Sequence, residues 1–148
     1  MVWGMVLPNG IIYIEEVDKN FNSQKYIELL EKTVIPIIQL NFQQYQLVQD
    51  NSPVHTSKIT NLFLRNHNVK TVKWPALSPD LNIMENIWKM MSDVVYSTGQ
   101  PINKSELKIR VFEAAKEIMT VKHDIIMNLY CTFRRRLTTL LKCNGNKI

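Results

Sequence analysis

Apolar and polar positions along this chain follow two rhythms, and the switch from one to the other marks its elements. Val2, Trp3, Met5, Val6 and Leu7, then Ile11, Ile12, Tyr13 and Ile14, form two short runs of strand formers around Pro8-Asn9-Gly10. Asn-Gly supplies the positive φ angles of a tight turn, so Met1 to Ile14 reads as a β-hairpin. From Asn22 the period lengthens. Tyr26, Ile27, Leu29, Leu30 and Val34 fall on one helical stripe that Asn22 or Ser23 can cap, and Pro36 limits its regular continuation.

Tyr45-Gln46-Leu47-Val48-Gln49 returns to strand composition and places Asp50 at a strand's C-terminal end, the usual ligand edge of an open α/β sheet. Ile59, Leu62, Phe63 and Leu64 then make the apolar face of a helix capped near Thr56, and Val69 to Val72 forms the next strand. Strand, helix, strand predicts a parallel crossover. The loop from Trp74 to Asn82 is stiffened by Pro75 and Pro79. Asn82 opens a helix carrying Ile83, Ile87, Met90, Met91 and Val94, which ends by Gly99-Gln100-Pro101. Ser105 can cap a further helix through Leu107, Val111, Ala114, Ala115 and Ile118, and a last one runs from Asp124 to Leu141 before a tail that frays after Gly145.

The pattern is therefore α/β: an N-terminal hairpin, a strand-helix-strand crossover and C-terminal helices. Its 148 residues and 45% hydrophobic content suit one domain with one buried core. Eighteen Lys and Arg against 13 Asp and Glu give a net charge of +5, a lean toward polyanionic partners that is weak taken alone. Cys131 and Cys143 are the two cysteines, too few for a disulfide framework or a zinc-ligand spacing, so a reducing compartment fits best. Met1 to Leu7 is short for a signal sequence and carries no basic leader. No apolar run approaches the about 18 residues of a membrane span.

Candidate chemistry centres on two carboxylates. Asp50 follows a strand and Glu85 sits on a returning helix, a placement that suits hard divalent cations with their preference for oxygen ligands, and hence phosphodiester chemistry. Each also has a local reading. Asp50 before Asn51-Ser52-Pro53 can close an Asx turn, and Glu85 can complete a capping box with Asn82. His55 can contact a scissile phosphate or a metal-bound water, or can simply pack beside a helix start. Trp74 and Trp88 read as packing residues, with Trp74 able to stack on a base if exposed. Asp80 orients the loop or caps the helix. Arg134, Arg135 and Arg136 match phosphate geometry, but at about 100° per residue they fan around a helix and cannot share one face, and a solvated basic face is the competing reading.

Two longer motifs sharpen this. Gln49-Asp50-Asn51-Ser52-Pro53-Val54-His55-Thr56 and Leu77-Ser78-Pro79-Asp80-Leu81-Asn82-Ile83-Met84-Glu85-Asn86-Ile87-Trp88 resemble the second and third acidic motifs of Tc/mariner transposases. Val2-Trp3-Gly4 near the start, and Phe133-Arg134-Arg135-Arg136-Leu137 with Gly145 near the end, also look like that family, so the likeness spans nearly the whole chain. It implies a ribonuclease-H-like DDE domain, here residues 1–99, with a C-terminal helical extension over 100–148. It also implies Asp50 and Glu85 as catalytic ligands of Mg²⁺ or Mn²⁺. The implied reaction is DNA strand cleavage and strand transfer in the nucleus, on transposon ends and target DNA. A homo-oligomer or a full-length transposase is the implied protein partner, with no membrane involvement.

The same resemblance places the family's first Asp on a strand before Val2-Trp3-Gly4, and Glu15, Glu16 and Asp18 do not match its position. The expectation is an incomplete fold without that acid or the N-terminal DNA-recognition region, not competent alone. The alternative is a non-catalytic nucleic-acid-binding or protein-interaction remnant. Ile83, where the family often has Pro, and Val54, where it often has Cys, depart from the motifs without touching a metal ligand.

Overall fold

The structure, a computed structural model, describes residues 1–41, 45–75, 78 and 81–142. They fall into two compact units, Asp18–Ser78 and the pairing of Met1–Val17 with Pro79–Ile148.

In the discontinuous unit, β1 (Val2–Val6) pairs antiparallel with β2 (Ile12–Glu16) in a register from Val2 opposite Glu16 to Val6 opposite Ile12. The connecting turn differs in detail from the expected pair of positive φ angles. Only Gly10 adopts one, at +82°, and its N–H donates to Leu7 O at 2.9 Å. Asn9 keeps a negative φ and accepts the Ile11 N–H through its side chain at 3.2 Å. This is a three-residue loop with the glycine in the left-handed position, which leaves asparagine free to bond its own backbone.

Three helices close over this hairpin. They are α5 (Ile83–Val95), α6 (Lys104–Val121) and α7 (His123–Lys142). Their shared core is Ile12, Ile87, Met91, Val95, Ala114, Ala115, Ile118 and Ile126, and the two alanines let the helices approach closely. Glycine is required at position 4, because a Cβ there would lie 2.7 Å from the indole of Trp88 on α5. The hairpin is also tied down by hydrogen bonds from α7. The Tyr130 hydroxyl donates to Val6 O at 2.9 Å, and His123 Nε2 bonds Asn9 O at 3.1 Å. The cap of α6 is Asn103 and not Ser105: its side chain accepts the Glu106 N–H at 2.9 Å while Glu106 reaches back to the Ile102 N–H at 2.6 Å. Among the described residues no helix is long and apolar enough to cross a membrane.

In the other unit, α1 (Ser23–Leu29) is capped by Asn22, continues as a π turn over Leu30–Val34, and resumes as α2 (Ile35–Asn41). Pro36 does interrupt the regular α pattern, yet the chain stays helical beyond it. The Ile35 N–H reaches five residues back to Leu30 O, and this widening just before the proline relieves the clash its ring would otherwise make with the preceding turn.

The expected strands at 45–49 and 69–72 are present only as a single parallel bridge, Leu47 to Thr71, held by Leu47 N–H to Lys70 O at 2.8 Å and Val72 N–H to Leu47 O at 3.1 Å. The direction is the parallel one expected of a crossover. Its shortness fits two segments that, among the described residues, pair only with each other, since a parallel ladder is sustained by neighbours. Between them lie α3 (Pro53–Thr56) and α4 (Lys58–Asn66). The cap of α4 is Ser57, one residue past the expected Thr56, and accepts the Thr60 N–H at 3.2 Å. Thr60, fully buried, donates to Val54 O at 2.7 Å and so clips α4 to α3.

Candidate functional site

Asp50 ends the segment that carries the Leu47 bridge, and Pro53 then starts α3, so a short turn separates a fixed extended backbone from a fixed helical one. Oδ1 of Asp50 accepts the Ser52 N–H at 3.0 Å, which is the Asx turn. The same oxygen lies 2.6 Å from His55 Nδ1 on α3. Oδ2 makes no hydrogen bond or ion pair among the described residues. The Asp50 side chain is 55% exposed, whereas the His55 ring is only 16% exposed.

That ring is held from behind. Tyr26 of α1 lies against it with ring centroids 4.6 Å apart, its hydroxyl donates to Gln49 Oε1 at 2.8 Å, and Gln49 Nε2 donates to His55 O at 3.3 Å. Burial, and then the nearby Asp50 charge, push the Tyr26 phenol well above its ordinary value, so it stays a neutral donor. Asn51 completes the bracket by donating to Trp74 O at 3.1 Å; Trp74 itself is half-buried.

Glu85 is placed differently. It lies in the first turn of α5, whose cap Asn82 accepts the Met84 N–H at 3.0 Å. The capping box does not form: the Glu85 N–H bonds Asn82 O at 3.1 Å, but its carboxylate makes no hydrogen bond or ion pair among the described residues and is exposed. Ile87 and Met91 on the same helix are buried, so the backbone beneath this free carboxylate is firmly held.

Asp50 and His55 are thus together in one unit and Glu85 is in the other. Among the described residues no three His, Cys, Asp or Glu side chains gather into a metal-holding cluster. Arg135 is exposed on α7, while the side chains of Arg134 and Arg136 lie outside the described residues, as do Asp80, Cys143 and the tail after Gly145. Trp88 packs on Gly4.

Sequence reasoning placed Tyr26 only in a core stripe and gave Gln49 no role beyond its strand and its place at the head of the first motif. The available signal was a tyrosine at a position where leucine would serve, because a buried phenol needs a partner.

Residues 1–108 match the family described as DDE superfamily endonuclease. Over 150 residues the chain is 27% identical to the Tc3 transposase of Caenorhabditis elegans, covering 100% of this chain and 45% of that one. Over 147 residues it is 32% identical to the Tcb2 transposase of Caenorhabditis briggsae, covering 98% and 52% respectively. The chain therefore spans about half the length of the curated relatives it matches. Among solved structures, it superposes on the Mos1 transposase catalytic domain, determined with raltegravir and Mg, with a TM-score of 0.80 at 16% identity over 99% of this chain and 76% of that one. The corresponding structure with Mn gives a TM-score of 0.77. At that identity the likeness shows the fold.

Proposed function

The chain belongs to the DDE superfamily endonuclease family, and on that premise we propose that Asp50 and Glu85 are metal-holding carboxylates for cleavage and joining of DNA strands. The observation that carries this reading is the pattern of engagement. Asp50 and Glu85 are exposed residues whose Oδ2 and carboxylate, respectively, make no bond among the described residues, while Asp50 Oδ1 is taken by two donors. Hard oxygen donors of this kind fit Mg²⁺ or Mn²⁺ and do not fit a soft metal. When bound, a divalent ion supplies charge stabilisation at the reacting phosphate and a more acidic attacking hydroxyl.

The chain's own contribution is placement. The Asx turn and His55 fix the Asp50 rotamer, and the α5 core fixes the backbone of Glu85. Transposon ends and target DNA are the substrates this reading assigns, a second copy of the chain or a full-length transposase its protein partner, and the nucleus its compartment. Exposed Arg135 and the net charge of +5 suit phosphate contacts.

The test is nicking of supercoiled DNA with Mn²⁺ by the purified chain, alongside Asp50→Asn and Glu85→Gln. Any Mn²⁺-dependent nicking the chain supports is expected to be abolished by both substitutions; equal activity in all three proteins would sink the reading. Binding without cleavage is the second reading, favoured by the basic charge. It predicts affinity that falls with salt and is indifferent to both carboxylates, whereas a flat salt dependence excludes phosphate contact.

A further inference from the structure

The way Asp50 is held says which of its oxygens is available, and this goes one step past the assignment of a metal role, on which it rests. Oδ1 already accepts the Ser52 N–H at 3.0 Å and faces His55 Nδ1 at 2.6 Å, and two donors converging on one carboxylate oxygen hold both its position and its lone pairs. Oδ2 has no bond among the described residues. We infer that His55 is a positioning residue that holds Asp50 with Oδ1 engaged and Oδ2 left to take a cation, that Tyr26 packs against the His55 ring, and that Gln49 holds the backbone that carries it.

The chemistry is that of a donor standing behind a ligand. Nδ1–H donates to the carboxylate, the ring packs against Tyr26 with centroids 4.6 Å apart, and Gln49 holds the backbone that carries the ring through the His55 carbonyl at 3.3 Å. Gln49 is itself oriented by the Tyr26 hydroxyl at 2.8 Å. The chain from α1 through Gln49 to α3 thus converges on one carboxylate, with His55 only 16% exposed beside an Asp50 that is 55% exposed. A half-buried ring anchored in this way is poorly placed to swing onto a phosphate. Its work is to reduce the rotamer freedom that Asp50 would otherwise lose on taking a cation.

The experiment is Mn²⁺ titration of the purified chain, following free Mn²⁺ by electron paramagnetic resonance, with the thermal melt of each variant recorded by circular dichroism. His55→Phe keeps a ring against Tyr26 and removes the donor, and His55→Asn restores a donor near the Nδ1 position. The expected result is affinity weakened about 10- to 100-fold in His55→Phe and largely recovered in His55→Asn, with all melts alike. If phenylalanine does not fit, His55→Ala against His55→Asn gives the same comparison. Affinity unchanged on losing the donor overturns the inference. Asp50→Ala separates this failure from that of the metal role. Binding lost in Asp50→Ala but kept in His55→Phe sinks only the positioning role. Binding indifferent to Asp50→Ala, or absent from the unsubstituted chain, sinks both.

Discussion

The two carboxylates are held by opposite means. Asp50 sits in a polar bracket in which a backbone amide and an imidazole converge on one oxygen, and a buried tyrosine braces the imidazole. Glu85 has no such support: its side chain is free among the described residues, and what is fixed is the helix under it, through Ile87, Met91 and Val95 in a core closed by Ala114, Ala115 and Ile118. The first arrangement defines a rotamer, the second defines a backbone. Substitutions near Asp50 should therefore change how a ligand is presented, and substitutions beneath Glu85 should change whether the unit folds.

The strongest way to break this comparison is Ile87→Ala. Ile87 has no exposure, so removing its side chain leaves a cavity under α5 and should cost about 2–5 kcal/mol, read from urea unfolding. A loss well under 1 kcal/mol, roughly the effect of a surface change, would mean that the core does not hold the Glu85 backbone. Next in size is Thr60→Val, in the unit of Asp50. It removes the bond to Val54 O at 2.7 Å while conserving shape, and should cost about 1–3 kcal/mol, because a carbonyl near a buried position loses its donor.

The caps sharpen the comparison at lower amplitude. Asn82→Ala should destabilise α5 by about 1 kcal/mol, and since the Glu85 carboxylate takes no part in that cap, Glu85→Ala should cost only about the 0.3 kcal/mol an exposed carboxylate gains beside a helix N-terminus. A loss from Glu85→Ala as large as that from Asn82→Ala would restore the capping-box reading. The smallest effect is a pH dependence. The Ile102 N–H, and then Arg110, hold the Glu106 carboxyl below its ordinary value of 4.5. Its folded value is depressed, so its contribution is present above the ordinary value and is lost as pH falls through the folded one. Glu106→Gln should accordingly narrow the gap between melting temperatures recorded near neutrality and in acid below the carboxylate range. An unchanged gap would show that the Glu106 charge, held by the Ile102 N–H and by part-buried Arg110, does not stabilise the fold.

What the sequence determined by itself is what can be decided within a few residues. Helical periodicity located α1, α4, α5, α6 and α7; Asn82 was legible as a cap, and the first cap was narrowed to Asn22 or Ser23, because the bonds Asn22 and Asn82 make, to Lys25 and Met84, are local. Pro8-Asn9-Gly10 announced the hairpin, though not that Gly10 alone would take a positive φ. The two acidic motifs carried the family, since each is a contiguous string whose order survives folding.

Tertiary structure decided the rest. The strands around Leu47 and Thr71 shrank to one bridge because pairing depends on what lies alongside, not on composition. Pro36 was accommodated because a π turn formed before it. Asp50 Oδ1 was claimed by His55, while the Glu85 carboxylate was left out of a cap it was spelled to join. Those outcomes turn on where a side chain's nearest donor stands in space, and for Asp50 that geometry is braced by Tyr26, which lies 24 positions back along the chain. Local hydrogen bonds are written in adjacent letters; the availability of a carboxylate oxygen is not.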